Sequence, residues 1–384
     1  MSTTLSRVTE LKATIAGRAE QIESERCLPA DLLSDLAAAG ALRMLVPRER
    51  GGANLPLPET LRVVEALATA DASVAWTVAQ ASVAQLVFRH FPAAALDEVY
   101  ASGPDVVGAG AVAPKGRAEA CDGGWRVTGD WPFVTGIPHA RWVYLQCLVV
   151  DRGRPRLRDG DLPELRLVLL PAAEVTVLDT WHSAGLRGTA SHDVRAARVS
   201  CPPERTCSFD AEPALDGPLR RLPARDQGGL FVAAVAVGAA AGALDDVATL
   251  ARGGKRPAFA LDKLADAPVF QDRLGEAHML LRSARAQLYA EVDAAWEAAL
   301  AGTRPTDLAR AQLRATAPVV VGLARRVARH AFELGGGAAV YQRSPLQRRL
   351  RDVQTAGQHF SAGRDFYRTA GALLAGADPG IGLR

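Results

Sequence analysis

Lysine is nearly absent. Of 45 basic residues only Lys12, Lys115, Lys255 and Lys263 are lysines, and the rest are arginines. This bias, with abundant alanine, reads as genomic composition. The 42 acidic residues are interleaved with the bases and the formal charge is +3, so no basic stripe for nucleic acid is present. Cysteine is scarce: Cys27, Cys121, Cys147, Cys201 and Cys207 form no C-x-x-C pair and no metal-ligand run with histidine. That excludes a disulfide scaffold and gives no metal site. An odd count without a signal peptide points to free thiols in a reducing cytoplasm. The longest uncharged apolar stretch, Gly228 to Leu244, falls short of the ~20 residues of a membrane span and is mostly Ala and Gly. It reads as a helix buried within a bundle. There is no internal repeat and no low-complexity tract. No G-x-G-x-x-G follows a strand, so the chain carries no NAD(P)H site of its own. With 48% apolar and 23% charged residues over 384 positions, disorder is excluded and two or three domains are expected at ~150 residues each.

Three zones differ in hydrophobic period. Residues 1–104 read as helices: Leu5 to Ile22, then a helix opened by Pro29-Ala-Asp31 and closed by Gly40, then Pro58 to Ala70 and Ser73 to His90. The last is almost wholly apolar and should be central. Residues 105–212 carry short Val-, Trp- and Tyr-rich runs divided by Gly, Pro and Asp. They are Trp125 to Trp131, Trp142 to Val150, Leu165 to Leu170 and Val194 to Val199, with Asp151 to Pro163 as a surface loop. Residues 213–384 turn helical again in four long segments: Asp226–Ala251, Pro268–Ala301, Thr306–Leu334 and Leu346–Ala375. Four such helices with short connections predict an up-down bundle.

Helices, a β domain and a helical bundle in this order, with several local segments in sequence, resemble the acyl-CoA dehydrogenase fold over nearly the whole chain. The segments are Leu42 to Pro47 with Gly51-Gly52, Gly124 to Gly136, Ala184 to Thr189, Lys255 to Phe259, Leu334 to Gly337 and Arg348 to Asp352. The expected class is mostly α with a central small β domain: an N-terminal helical domain, a β-barrel or sandwich, and a C-terminal four-helix bundle.

The resemblance implies a flavin held between the β domain and the bundle, and two chemistries compete on that fold. Dehydrogenases and oxidases of acyl thioesters need a carboxylate base, commonly a Glu shortly after the Arg-Asp pair. Two-component flavin monooxygenases instead take reduced flavin from a separate reductase, form a C4a-hydroperoxyflavin with O2 and oxygenate a small substrate. After Arg351-Asp352 no carboxylate occurs from 353 to 364, and His359 stands where the base is expected. A neutral imidazole is a poor base for a thioester α proton but a good hydrogen-bond donor to a peroxide. Glu276, Asp245 and Asp246 keep the dehydrogenase alternative open.

In the same way, Thr135 matches a hydroxyl that hydrogen-bonds the flavin near N5, and Phe133 is expected against the ring. Trp181, Arg187 and Ser191 fall in a second flavin-contacting segment, Asp179 to Ser191; Arg187 could equally be an ion-pair residue. Arg256 and Phe259 match an Arg-x-x-Phe that reaches the flavin phosphates of a neighbouring subunit. Gly335 and Gly336 would let backbone approach the nucleotide, or simply end a helix. Trp76, Gln80 and His90 lie on the central N-terminal helix that borders the substrate pocket. The implied cofactor is reduced FMN or FAD with O2 as co-substrate, no metal, and the implied partners are an NAD(P)H–flavin reductase, a small and preferably aromatic substrate, and three further copies in a homotetramer.

Overall fold

A computed structural model describes residues 2–158, 162–258 and 260–380. Seven helices open the chain: α1 (Thr3–Glu10), α2 (Lys12–Gly17), α3 (Ala19–Glu25), α4 (Ala30–Ala38), α5 (Leu57–Ala70), α6 (Ala72–Phe88) and α7 (Ala93–Val99). The expected single helix from Leu5 to Ile22 is therefore three. It is interrupted at Leu11 and at Arg18, whose ψ of 3° follows the poor helix former Gly17. The apolar face nonetheless runs through both breaks, since Val8, Ile15 and Ile22, seven apart, are all buried.

Eight strands follow: β1 (Gly108–Cys121), β2 (Gly124–Val134), β3 (Trp142–Asp151), β4 (Arg154–Pro155), β5 (Leu165–Pro171), β6 (Thr176–Leu178), β7 (His192–Cys201) and β8 (Thr206–Cys207). They form one sheet in the order β6-β7-β2-β1-β3-β5-β8, with β4 paired to β3. Only the β1–β3 pair is parallel, and it shifts register between Ala111 and Gly116. The 14-residue β1 escapes the sequence reading because it is built of Gly and Ala. The packing explains why. A Cβ at Gly116 would stand 2.0 Å from the Trp131 ring, and one at Gly108 would stand 2.5 Å from Phe88 of α6. The strand is bare because large rings lie directly on it.

The C-terminal part contains α8 (Ala224–Arg252), α9 (Pro268–Leu300), α10 (Asp307–Gly335), α11 (Pro345–Ala356) and α12 (Asp365–Leu374). The fourth expected long helix, Leu346–Ala375, is broken. Gly357 ends α11 where the Arg325 side chain crosses so closely that a Cβ would lie 2.6 Å from Nε. A 3-10 turn, Phe360–Ala362, separates it from α12. His359 thus sits in a break between helices and not on the face of one.

By length and hydropathy α8 could cross a membrane, but 89% of its apolar window is buried inside this fold. It packs on α5 and α6 from the first zone and on α9, α10 and α11 from the last. Small residues permit that closeness: a Cβ on Gly238 would lie 2.3 Å from the Glu65 carbonyl and 2.6 Å from the Ala68 Cβ on α5. Helix propensity alone would favour Gly238→Ala by about 1 kcal/mol. Overpacking costs about 1–3 kcal/mol, so this variant should unfold at lower urea than the wild type. A midpoint that rises instead would mean that α5 can withdraw from α8.

Candidate active site

The site grows from the start of α6. Asp71 caps that helix, its Oδ1 accepting the amides of Ser73 (2.8 Å) and Val74 (3.0 Å). One turn on, the Trp76 indole Nε1 donates to Thr135 Oγ1 at 3.2 Å. Thr135 Oγ1 lies 2.8 Å from Ser191 Oγ, which lies 2.7 Å from Thr189 Oγ1. Thr189 Oγ1 in turn lies 2.9 Å from the Leu186 carbonyl. All three hydroxyls are buried.

The direction of this relay follows from its ends. The Leu186 carbonyl can only accept, and two oxygens at 2.9 Å repel unless a proton lies between them, so Thr189 donates to it. Ser191 then donates to Thr189, Thr135 donates to Ser191, and the indole donates to Thr135. Thr135 keeps one lone pair and has no proton left to give. Any ligand atom that it meets there must be a donor.

His359 approaches from the break after α11. Its ring stands edge-on to Trp76 with centroids 5.6 Å apart and tilts against Phe360 at 4.5 Å. Nδ1 accepts the Ser361 amide at 3.2 Å, which puts the proton of the neutral ring on Nε2. Burial pulls the pKa down to about 4. The imidazole is therefore a neutral donor at any ordinary pH.

The open side of the site is aromatic. Phe133 is 69% exposed and meets Trp181 edge-to-face at 6.3 Å. Trp181 is fixed by its indole donating to the Leu186 carbonyl (3.0 Å) and by its amide donating to His192 Nδ1 (3.2 Å). Phe133, Leu186 and Ala190 all hold left-handed backbones, with φ of 63°, 51° and 44°. Three strained non-glycine residues around one relay are what a pre-shaped ligand cleft requires. A flat heterocycle with an N–H donor fits these groups: apolar ring faces at the rim, a lone pair behind them, and a neutral donor to one side.

The remaining candidates divide. Gln80 and Val83 are the half-exposed positions on the otherwise buried α6; with Trp76 they share one face at i, i+4 and i+7, and the Gln80 amide bonds to no described residue. His90 does not join them. It lies two residues past the end of α6, which stops at Phe88, donates from Nδ1 to the Ala211 carbonyl at 3.0 Å and packs on Phe209. Arg187 turns to Glu23, 3.4 Å from its carbonyl and 4.0 Å from its carboxylate, so the ion-pair alternative describes its contacts. Arg256 is exposed and donates to the Leu261 carbonyl, and Phe259 lies outside the described residues. Gly335 ends α10, where a Cβ would strike Leu346 at 2.4 Å, and Gly336 has φ 56°. Lys255 Nζ donates to the Gly335 carbonyl at 2.6 Å, so the Arg256 loop and the glycine cluster meet at one end of the bundle.

Carboxylates that could serve a dehydrogenase are engaged elsewhere or face solvent. Glu276 pairs with Arg326 at 3.3 Å, Asp246 with Arg349, and Asp245 is exposed. Two groups behind the site were not among the candidate site residues, although Asp352 belongs to the Arg348–Asp352 segment. They are the buried Asp71, legible only as an N-cap signal before Ser73, and Asp352, whose Oδ1 accepts the Leu186 amide at 2.7 Å.

A single sheet set between N-terminal helices and a C-terminal helical bundle, with these hydroxyl and aromatic groups where they meet, is the arrangement of an acyl-CoA dehydrogenase-type flavoprotein. The family descriptions "Acyl-CoA dehydrogenase, N-terminal domain" and "Acyl-CoA dehydrogenase, C-terminal domain" match residues 8–100 and 230–363. The chain is 32% identical to an indole-3-acetate monooxygenase of Pseudomonas putida, over 94% of this chain and 91% of that protein. Its fold superposes on the 3-HSA hydroxylase of Rhodococcus sp. RHA1 with a TM-score of 0.92, at 28% identity and 98% coverage of both chains. It superposes on XiaF from Streptomyces sp., solved with FADH2 and glycerol, with a TM-score of 0.90 at 26% identity, covering 98% and 96%. The chain belongs to the flavin-dependent monooxygenases of the acyl-CoA dehydrogenase family.

A depressed histidine pKa has a sign. Between pH 6.5 and about 4 the unfolded chain takes up a proton that folded His359 refuses, so acidification through this window costs stability. An NMR titration of His359 should show a midpoint near 4. The matching part of the acid destabilisation should vanish in His359→Gln. A midpoint near 6.5 would show the ring to be solvated.

Proposed function

We propose that this chain is the oxygenase component of a two-component hydroxylase acting on a small aromatic substrate, with reduced FMN or FAD delivered by a separate NAD(P)H-dependent reductase. The observation that carries the reading is the polarity of the relay at Thr135. Reduced flavin bears a proton at N5 and oxidised flavin does not, so a site offering only a lone pair there favours the reduced form. When bound, reduced flavin supplies the two electrons by which O2 yields one oxygen atom to the substrate and one to water. Thr135 holds the N5 proton in place. His359, neutral and donating from Nε2, steadies negative charge on oxygen without being acid enough to release it as peroxide. Phe133 and Trp181 exclude water from the ring.

Trp76, Gln80 and Val83 form the substrate wall. An apolar stripe with one free amide suits an aromatic ring carrying a hydroxyl or a ring N–H. Arg256, Phe259, Gly335 and Gly336 receive flavin phosphate from a neighbour. Gly229 of α8 packs at Ser361 beside His359, while Arg256 follows the far end of α8, ~35 Å away at 1.5 Å per residue. A residue so placed serves its own flavin poorly and a neighbour's well. The exposed Val340 and Tyr341 beside the glycine cluster support burial against another copy, within a homotetramer. Five free thiols fit a cytoplasmic location.

Anaerobic titration should show reduced FMN or FAD bound at least ~10-fold tighter than the oxidised form, a gap of about 1.4 kcal/mol, and Thr135→Val should erase the preference. Admitting O2 with substrate should then give product, and His359→Ala should divert the electrons to free hydrogen peroxide. Equal affinity for both flavin states, or bleaching of bound flavin by an acyl thioester, would reject the proposal.

A further inference from the structure

Asp352 faces the site from behind. It is buried in the middle of α11, its Oδ1 takes the Leu186 amide, and Leu186 is held left-handed at φ 51°. The carbonyl of that same Leu186 ends the hydroxyl relay and holds the Trp181 indole. The neighbouring Arg351 donates to the Ala184 carbonyl and pairs with Glu23, each at 2.5 Å. Gly185 lies so close to α11 that a Cβ would be 2.3 Å from the Arg351 carbonyl. The turn that presents Thr189 and Ser191 is thus fastened to α11, the helix that leads into the His359 break. Asp71, which caps the helix bearing Trp76, is the other buried acid of this region. Arg348, 9% exposed and hydrogen-bonded to no described residue, acts electrostatically on both.

Resting on the flavin reading above, we propose that Asp352 is a positioning residue: by accepting the Leu186 amide it sets the 185–191 turn, and with it the relay at Thr135, in register with His359. Its charge state then matters. Desolvation, and after it the negative Asp71, push the Asp352 pKa up to about 7, against the opposing pull of the Leu186 amide, Arg348 and Arg351. Asp71 is itself raised by desolvation, with Arg348, its two capped amides and Arg349 opposing. An ionised acceptor grips an amide more firmly than a protonated one. Raising the pH through neutrality therefore tightens the turn. The same step costs global stability, because the folded state holds a proton from about pH 4 to about 7 that the unfolded chain has released.

Hydrogen exchange of the apoprotein tests this without flavin. In the wild type, exchange of residues 184–191, corrected for intrinsic base catalysis, should slow several-fold as pH rises from 6 to 8. Asp352→Asn keeps an acceptor and should give a flat profile. Asp71→Asn should move the inflection to lower pH, and Asp352→Leu should leave the segment fast at all pH. In the loaded enzyme, reduced-FMN affinity should follow the same profiles. A flat wild-type profile, or an inflection untouched by Asp71→Asn, would overturn the proposal even if Asp352→Leu fails to fold. A wild type that shows the exchange inflection yet binds neither reduced FMN nor reduced FAD would instead overturn the functional reading and the flavin-directed purpose given to Asp352.

Discussion

The molecule is organised around the need to cover α8 on every side. A 29-residue helix whose residues from Gly228 to Leu244 are apolar or small all round cannot face water. α5 and α6 from the first hundred residues and α9, α10 and α11 from the last hundred and twenty close around it. Glycines at 238 and 242 let backbones and the Arg349 guanidinium come within contact of its axis. One consequence is chemical. Wrapping the same helix brings the start of α6 and the end of α11, almost 300 residues apart, to a ring separation of 5.6 Å between Trp76 and His359. The candidate site is a by-product of burying α8.

Much of this was legible in the sequence and some was not, for definite reasons. The long helical segments around α5, α6, α8, α9 and α10 announced themselves, by periodicity in α5 and α10 and by length and apolar run in α6 and α8. β1 did not, because the rings of Phe88, Tyr144 and Trp131 lie on it and force Gly and Ala where a strand normally shows Val or Ile. The break after α11 was hidden as well. Gly357 reads as a tolerable helix interior until Arg325 is seen crossing it. Residue identity could place Thr135 and His359 as candidates. It could not give the direction of the relay, which depends on which oxygen ends it. His90 shows the limit of helical spacing: the stripe of Trp76 and Gln80 would reach it on a continuous helix, but α6 ends at Phe88 and the ring turns to Ala211 and Phe209.

In the function proposed here, the choice between acyl-thioester and oxygen chemistry turns on one side chain and its surroundings. A carboxylate beside the flavin would be a base in waiting. A histidine exposed to water would switch charge near neutrality. The ring found here does neither, because desolvation removes its basicity and the Ser361 amide fixes its tautomer. Its environment leaves it a proton to lend and little appetite for another. The acids of the region lie one layer further back, where they hold backbone and cap a helix, out of reach of a ligand in the cleft.

The left-handed backbones at Phe133, Leu186 and Ala190 carry a consequence for any attempt to toughen the protein. Each side chain there pays a conformational penalty that glycine would not. At the buried Leu186 and Ala190 the packing lost to glycine outweighs that penalty, but at Phe133, 69% exposed, it does not. A selection for heat resistance alone would therefore drift toward glycine at 133 and strip the aromatic rim.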